Sequence, residues 1–386
     1  MTHAWKNEEG VAVDCDFPGG NIIVDRIEGD TIAVRQDLRD TKGDWFYWCF
    51  RVRRAANRAL TFRFTQGDVI GVLGPAVSTD EGKNWSWLGK EAVDDATFRH
   101  AFPADAGEVR FCLAMPYLET NLQEFIGRHG GDSQHLKADV LCRTKKGRDV
   151  ELLHLGRLDG KSDHRVLITC RHHACEMMAS HSLEGLMEAV LAESEQGKWL
   201  REHVEFLIVP FMDKDGVENG DQGKNRRPHD HNRDYAGESI YPSVRALRQL
   251  APRWAGGRLR FALDMHCPYI RGEHDEFIYF VGSPNQENWE RVKRFSGVLE
   301  TVQTGPLVFS SENNLSFGQA WNTCGNYHPG KSFSRWAAGL PGIFIGTSIE
   351  IPYANASGQA VTAETARAFG RDLAYALHWF WIKMGV

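Results

Sequence analysis

Short runs of β-branched and aromatic residues alternate with turn sequences over the first 114 residues. The runs at 31–34, 45–52 and 60–64 are each of strand length, and Glu-Gly-Asp at 28–30 is one of the turns between them. Strands this short, with turn signals at this spacing, are typical of two antiparallel sheets packed face to face. The pattern predicts a smaller all-β sandwich domain over residues 1–114.

The pattern changes near residue 115, where apolar runs begin to alternate with helical periodicity. Four runs have strand length and hold almost no charge: 166–170, 206–210, 259–264 and 342–346. One helical face is marked by the spacing of Leu183, Leu186, Met187, Val190 and Leu191. Strands and helices in alternation predict an α/β domain over residues 115–386, with a mainly parallel mixed sheet flanked by helices.

The composition excludes several kinds of protein. The chain has 386 residues, of which 42% are hydrophobic and 25% charged, and its net charge is -6. That charge argues against nucleic acid or an anionic membrane as a partner, and no apolar run is long enough to span a bilayer. Residues 1–9 hold no hydrophobic signal region, and the eight cysteines form no Cys-x-x-Cys pair. We therefore expect a cytoplasmic protein with free thiols; its oligomeric state is left open.

One of the apolar runs leads into a pair of metal-binding residue types. The run 166–170 is followed by His173-x-x-Glu176. Three positions apart on a turn, an imidazole and a carboxylate can face the same point. Both are ordinary zinc ligands, and a catalytic zinc takes three protein ligands. The pair therefore predicts a metal site that needs one more ligand, and a general base beside it would complete a hydrolase.

The end of another predicted strand offers the third ligand. The run 259–264 leads into Asp264-x-His266. Parallel strands present their carboxyl ends at one edge of a sheet, so His266 can join the pair while Asp264 orients it. The alternative for His266 is a hydrogen bond to a loop carbonyl. We expect His172 to face away from the ion and Cys175 to be a small packing residue.

Cationic residues are concentrated in the loop that precedes this strand. The segment 224–235 contains Lys224, Arg226, Arg227 and Arg233. Arginine presents a rigid fork of donors that matches a carboxylate. Beside a metal site such a loop suits an anionic ligand, although a solvated charged loop has the same composition.

Taken in order, these segments resemble the zinc carboxypeptidases. The resemblance is carried by His173-x-x-Glu176, Asp215-Gly216-Val217 with Asn219-Gly220, Asp230-x-Asn232-Arg233 and Asp264-x-His266. It is closest to the cytosolic carboxypeptidase branch, since 17–22 and 45–52 look like the N-terminal β-sandwich of that branch. The resemblance covers nearly the whole chain and implies a catalytic α/β domain that binds one zinc ion.

The resemblance also implies roles for individual residues. His173, Glu176 and His266 would hold zinc. Asn232 and Arg233 would grip the terminal carboxylate of the substrate.

Two further roles concern the reacting bond. Arg226 is our choice for the cation that stabilises the oxyanion, with Lys224 and Arg227 as alternatives. Glu350, which follows the run 342–346, would be the general base. The tyrosine that the family places at this site is either Tyr327 or Tyr353.

The implied reaction is hydrolysis of the C-terminal peptide bond of a peptide or protein. Two alternatives remain on sequence grounds. One is a zinc-dependent deacylase of N-acyl amino acids, which can use a similar set of ligands. The other is a non-catalytic binding protein in which the N-terminal domain is the recognition module.

Overall fold

The fold is described from a computed structural model of the chain. It describes residues 5–6, 10–131, 133–328 and 330–384. Within these residues, no helix has the length and apolar character needed to cross a membrane.

The N-terminal sheet region consists of two sheets. A six-stranded sheet has the order β1-β2-β5-β11-β7-β8, and a five-stranded sheet has the order β3-β4-β6-β10-β9. The strands are β1 Trp5–Lys6, β2 Ala12–Asp14, β3 Ile23–Glu28, β4 Thr31–Arg35, β5 Cys49–Arg53, β6 Ala59–Phe64, β7 Ala76–Ser78, β8 Ser86–Trp87, β9 Val93–Asp94, β10 Thr97–Ala101 and β11 Glu108–Cys112.

Aromatic side chains fill the space between these two sheets. The Phe50 ring on β5 lies 5.2 Å from the Phe62 ring on β6, and the Phe98 ring on β10 lies 5.2 Å from the Phe111 ring on β11. Each pair joins one sheet to the other, and all four residues are buried. Rings at these separations add to the free energy gained from burying their area, so the alternating pattern of the sequence is explained by one shared core.

A seven-stranded sheet follows, with the order β12-β13-β15-β14-β16-β18-β17. The central strands β15, β14, β16 and β18 are parallel, and the outer pairings are antiparallel. The strands are β12 Leu136–Arg143, β13 Asp149–Gly156, β14 His164–Cys170, β15 Val204–Val209, β16 Leu259–His266, β17 Tyr279–Val281 and β18 Ile345–Glu350, with a hairpin of β19 Asn355–Ala356 and β20 Gln359–Ala360.

Helices cover both faces of this sheet. They are α1 Glu119–His129, α2 Met177–Leu191, α3 Glu195–His203, α4 Lys214–Asn219, α5 Pro242–Ala255, α6 Gln286–Val302, α7 Phe333–Ala337 and α8 Ala363–Met384. Val166 and Ile168 of β14 belong to the core that includes α2, α6 and α8, whereas Leu167 belongs to the core that includes α5 and α7. Because successive strand residues face opposite sides, β14 has to be apolar throughout.

The predicted fold class is confirmed: a mainly parallel mixed sheet flanked by helices, preceded by a sheet-rich region. The predicted strand at 342–346 is displaced, because Gly342 lies in a turn with φ of 85° and the strand runs from Ile345 to Glu350. The domain boundary at residue 114 stays a prediction. Leu113, Ala114 and Met115 belong to one hydrophobic core that continues across this position.

A testable consequence concerns the contact between α2 and α8. A Cβ built on Gly370 of α8 would overlap the carbonyl oxygen of Ser182 in α2, whereas a Cβ on Gly297 of α6 meets nothing within 4 Å. We expect Gly370→Ala to lower the free energy of unfolding by ~1–3 kcal/mol or more through overpacking. Gly297→Ala should instead raise it by up to ~1 kcal/mol, because alanine has the higher helix propensity. Denaturant unfolding of both variants tests this, and equal effects would contradict the described packing.

Candidate metal centre and active site

The turn after β14 brings two of the predicted ligands together. Arg171 adopts a left-handed φ of 57°, and its buried guanidinium donates to the carbonyl oxygen of Tyr117 at 2.9 Å and also to that of Ala174. These bonds fold the chain so that Glu176 becomes the residue that precedes α2. The Nδ1 atom of His173 consequently lies 2.9 Å from Oε1 of Glu176.

The third predicted ligand reaches the same point from β16. His266 is the last residue of that strand, and its Nδ1 lies 2.7 Å from Oε2 of Glu176. The ligand atoms of His173, Glu176 and His266 all lie within 4.8 Å of one another. Burial opposes ionisation of Glu176, but the neighbouring imidazoles and the ammonium of Lys224 hold the pKa of that carboxyl well below its usual range.

The chemistry of this donor set fits a zinc ion. Two imidazole nitrogens and one carboxylate oxygen are a common catalytic zinc set. The remaining ring nitrogen of His266 lies 2.6 Å from Oδ2 of Asp264, and that of His173 lies 3.7 Å from Oδ1 of Asp230. Histidine ligands of metals usually have such carboxylate partners, which fix the orientation and tautomer of the ring. Asp264 therefore has the orienting position expected of it.

A second cluster with metal-binding chemistry lies directly beside the first. His172, Asp264 and His266 also place ligand atoms within 4.8 Å of one another. Both nitrogens of His172 have protein partners, since Nδ1 lies 2.7 Å from Asp264 and Nε2 lies 2.8 Å from the hydroxyl of Tyr235. Thr169 donates to Asp264 at 2.8 Å. Because His172 and Asp264 are fully buried and already hydrogen-bonded, we favour the first cluster for the metal.

The first cluster opens into a cavity of about 270 Å³. The structure places five further residues that bear on its chemistry along the walls: Lys224, Asn232, Arg233, Tyr327 and Glu350. Tyr353 is not among the lining residues and lies buried with its hydroxyl 3.6 Å from the sulfur of Cys175. Of the two tyrosines considered from the sequence, Tyr327 is thus the one beside the cavity.

Glu350 ends β18 directly opposite His266 on β16. Glu350 is buried, with 7% of the residue exposed, and among the described residues Oε2 has no hydrogen-bond partner. Burial raises the pKa of this carboxyl to about 7, although the imidazole of His266 opposes the rise. A carboxylate that faces a metal site with a free oxygen has the chemistry of a general base.

The cation beside the ligands is Lys224 rather than Arg226. The Nζ atom of Lys224 lies 2.7 Å from Oε1 of Glu176, and burial is more than offset by this carboxylate, so the pKa of the lysine is raised. Arg226 does not line the cavity; its guanidinium is bound by Asp40 at 2.9 Å, Asp213 at 2.6 Å and Asp221 at 3.0 Å. The geometry therefore does not support our choice of Arg226 from the sequence.

Asn232 and Arg233 are presented by a 3₁₀ turn, His231–Arg233, which Asp230 caps. The amide nitrogen of Asn232 lies 3.1 Å from Nε2 of His266, and its amide oxygen accepts from the backbone of Phe333 at 2.9 Å. Arg233 lines the cavity with its guanidinium 5.1 Å from the centre of the Tyr327 ring. The turn thus places a forked cation within the same cavity as the predicted metal ligands.

Comparison with known proteins finds similarity to carboxypeptidases. Residues 125–249 match the family described as zinc carboxypeptidase. Curated relatives include cytosolic carboxypeptidase 2 of Mus musculus, 25% identical over 323 residues that cover 73% of this chain and 36% of the relative. Cytosolic carboxypeptidase 3 of Bos taurus is 30% identical over 195 residues, which cover 48% of this chain and 19% of the relative. The chain spans only 39% of the length of cytosolic carboxypeptidase 2 of Danio rerio, with 25% identity over 65% of this chain.

Solved structures show the same fold over almost the whole chain. A metallo-carboxypeptidase from Burkholderia cenocepacia has a TM-score of 0.79 at 20% identity, covering 97% of this chain and 100% of that one. A metallo-carboxypeptidase from Pseudomonas aeruginosa, in complex with (2-guanidinoethylmercapto)succinic acid, has a TM-score of 0.73 at 19% identity. The match covers 96% of this chain and 99% of that one.

The competition between the two clusters can be tested by metal content. We expect His173→Ala to bring the zinc bound after dialysis close to zero, because it removes a ligand from the first cluster alone. His172→Ala should retain close to one equivalent at saturating zinc, with an affinity weakened roughly 10- to 100-fold through the loss of support for Asp264. Elemental analysis and a zinc titration measure both. Zinc retained by His173→Ala and lost by His172→Ala would place the ion in the second cluster.

Proposed function

We propose that this protein is a metallocarboxypeptidase that removes the C-terminal residue of a peptide or protein; the match of residues 125–249 to the zinc carboxypeptidase family supports the proposal. One observation carries the proposal. The ligand atoms of His173, Glu176 and His266 lie within 4.8 Å of one another, in a cavity that also contains Glu350 and Arg233. This combination supplies a metal site, a base and an anion anchor within reach of one substrate terminus.

The residues divide the binding of the substrate between them. The guanidinium of Arg233 is held by the backbone carbonyls of Asn326 and Asn232, and its remaining N–H groups are offered to the terminal carboxylate, which matches such donors well. Asn232 adds a neutral donor and is held in place by its bond to the backbone of Phe333. The anchored terminus leaves the last peptide bond facing the metal ligands, which is what restricts cleavage to the end of a chain.

Glu350 carries the proton during hydrolysis. When bound, zinc supplies the positive charge that lowers the pKa of a water molecule and polarises a carbonyl group. Glu350 accepts the proton of the attacking water at its free oxygen, Oε2, and then delivers it to the leaving amine. The burial that raises the pKa of this carboxyl suits both roles, because the base must later act as an acid.

Lys224 stabilises the negative charge that develops on the carbonyl oxygen. Its ammonium lies beside Glu176 and lines the cavity, so a charged donor faces the site of reaction. Preorganised donors of this kind typically contribute about 10²- to 10³-fold in kcat. We assign to Lys224 the role that we expected of Arg226.

Zinc is the cofactor that the family description implies, and one ion fits the donor set. We place the protein in the cytoplasm, in line with the names of its curated relatives and with its eight cysteines, all of which are free thiols.

The reaction is tested with peptides whose C-terminus is free or amidated. We expect release of the last residue from free peptides only, because an amide removes the anion that Arg233 binds. Glu350→Gln should lower kcat by about 10²- to 10⁴-fold while zinc remains bound, since the amide cannot accept a proton. Cleavage of N-acyl amino acids with no action on peptides would select the deacylase, and binding of peptides without any turnover would select a non-catalytic protein.

The assignment of the oxyanion cation is tested by three variants in the same assay. Lys224→Met should lower kcat by about 10²-fold or more with little change in zinc content, because it removes the positive charge next to the reacting carbonyl. Lys224→Arg should recover part of the rate. Arg227→Met, which changes an exposed cation that does not line the cavity, is the matched control and should match the wild type. A loss confined to Arg227→Met would refute the assignment.

A further inference from the structure

One of the residues that line the cavity comes from the N-terminal sheet region. Trp45 lies in the extended segment between β4 and β5, yet it lines the cavity together with residues of the seven-stranded sheet. The Nζ atom of Lys224 lies over its indole ring, 4.8 Å from the ring centre. A cation at this distance from an aromatic face is attracted by the negative charge density of the ring.

The segment that carries Trp45 is fastened to the loop that carries Lys224. Both carboxylate oxygens of Asp40 accept from that loop, from the backbone of Gln222 at 3.0 Å and of Gly223 at 2.9 Å. The side chain of Gln222 in turn bonds both the N–H and the carbonyl of Tyr47, each at 2.8 Å. Hydrogen bonds on either side of Trp45 therefore fix the distance between its ring and the lysine.

Trp45 itself is held in place by its neighbours. Its ring lies 5.9 Å from that of Tyr269, whose hydroxyl donates to the backbone carbonyl of Asp44 at 3.1 Å. The backbone carbonyl of Trp45 accepts a hydrogen bond from the side-chain amide of Gln36 at 3.0 Å. Among the residues that the structure describes, no acceptor bonds the buried indole N–H. The ring can thus be replaced by another aromatic ring without the loss of a hydrogen bond.

The face of an aromatic ring can stabilise a buried ammonium without neutralising its charge. Lys224 is largely buried, and a buried cation needs compensation. Glu176 supplies it on one side, and Glu350 lines the same cavity; a further carboxylate would neutralise the charge that the reaction needs. An aromatic face attracts the ammonium without adding a negative charge, so the lysine is held against the cavity and keeps its electrophilic character.

We propose that Trp45 is a positioning residue for Lys224, so that the N-terminal sheet region supplies part of the active site. The proposal rests on the proposed function, since it names the residue that holds the oxyanion cation. It assigns a catalytic purpose to the contact between the two parts of the chain, which would otherwise be only structural.

The test compares Trp45→Phe with Trp45→Leu in the full-length, zinc-loaded enzyme, with a free-terminus peptide as substrate. Trp45→Leu keeps an apolar side chain but removes the ring, and we expect kcat to fall roughly 3- to 30-fold with KM nearly unchanged. Trp45→Phe keeps a ring face and should recover most of the rate. Equal kcat values for the two variants, or a rise in KM with kcat unchanged, would overturn the proposal.

A double-mutant cycle separates positioning from general damage to the cavity. In a Lys224→Met background, Trp45→Leu should cause no further loss in kcat, because the group it positions is already gone; an undiminished loss would overturn the proposal. Zinc content and thermal unfolding of each variant exclude lost metal or lost fold as the cause. A wild type without carboxypeptidase activity would refute the proposed function, whereas an active wild type with insensitive Trp45 variants would refute this inference alone.

Discussion

The parallel pairing of β14, β16 and β18 assembles the candidate site. Pairing in one direction puts the carboxyl ends of the strands at the same edge of the sheet. His266 and Glu350 are paired residues there, and the turn after β14 adds His173 and Glu176. Because side chains alternate between the faces of a sheet, a slip of one residue in β16 would turn His266 away from the site.

The edge of the sheet gathers far more charge than an ordinary core. Glu176 is balanced by two imidazoles and by Lys224, and the outer nitrogens of those imidazoles face Asp264 and Asp230. Glu176, Lys224, Asp264 and Asp230 therefore each have a partner of opposite sign or a hydrogen bond, as a buried ionic cluster requires, whereas Oε2 of Glu350 is left without one among the described residues. The N-terminal sheet region takes part in this balance, since Asp40 binds the loop that carries the lysine and Trp45 covers its ammonium.

The sequence predicted the parts of this site that strands and short turns position. His173 and Glu176 are three residues apart, and His266 ends an apolar run, so local spacing and sheet geometry place them without any knowledge of the loops. Lys224 and Arg226 could not be separated in the same way, since both lie in one irregular loop. The choice between them depends on Asp40, Asp213 and Asp221, which bind Arg226 and hold it away from the cavity.

The position of Trp45 at the cavity could not be predicted from the sequence for a related reason. An aromatic residue in a strand-rich segment is usually part of a core, and only the contact with a loop far along the chain gives it another role. Similarly, Thr347 and Ser348 are polar although they lie within β18, where every residue is buried. The apolar pattern alone therefore did not show how far this strand extends. Pattern alone therefore predicted the sheet and the proposed metal ligands, whereas contacts between distant segments determine which cations line the cavity.

We propose that His173, Glu176 and His266 bind one zinc ion together at the edge of the sheet. Anomalous scattering at the zinc absorption edge, from crystals of the zinc-loaded protein, tests it most directly. We expect a single strong peak within bonding distance of Nδ1 of both histidines and of the carboxylate of Glu176, on the side that faces Glu350. A peak bonded instead to His172 and Asp264, or no peak at this edge of the sheet, would contradict it.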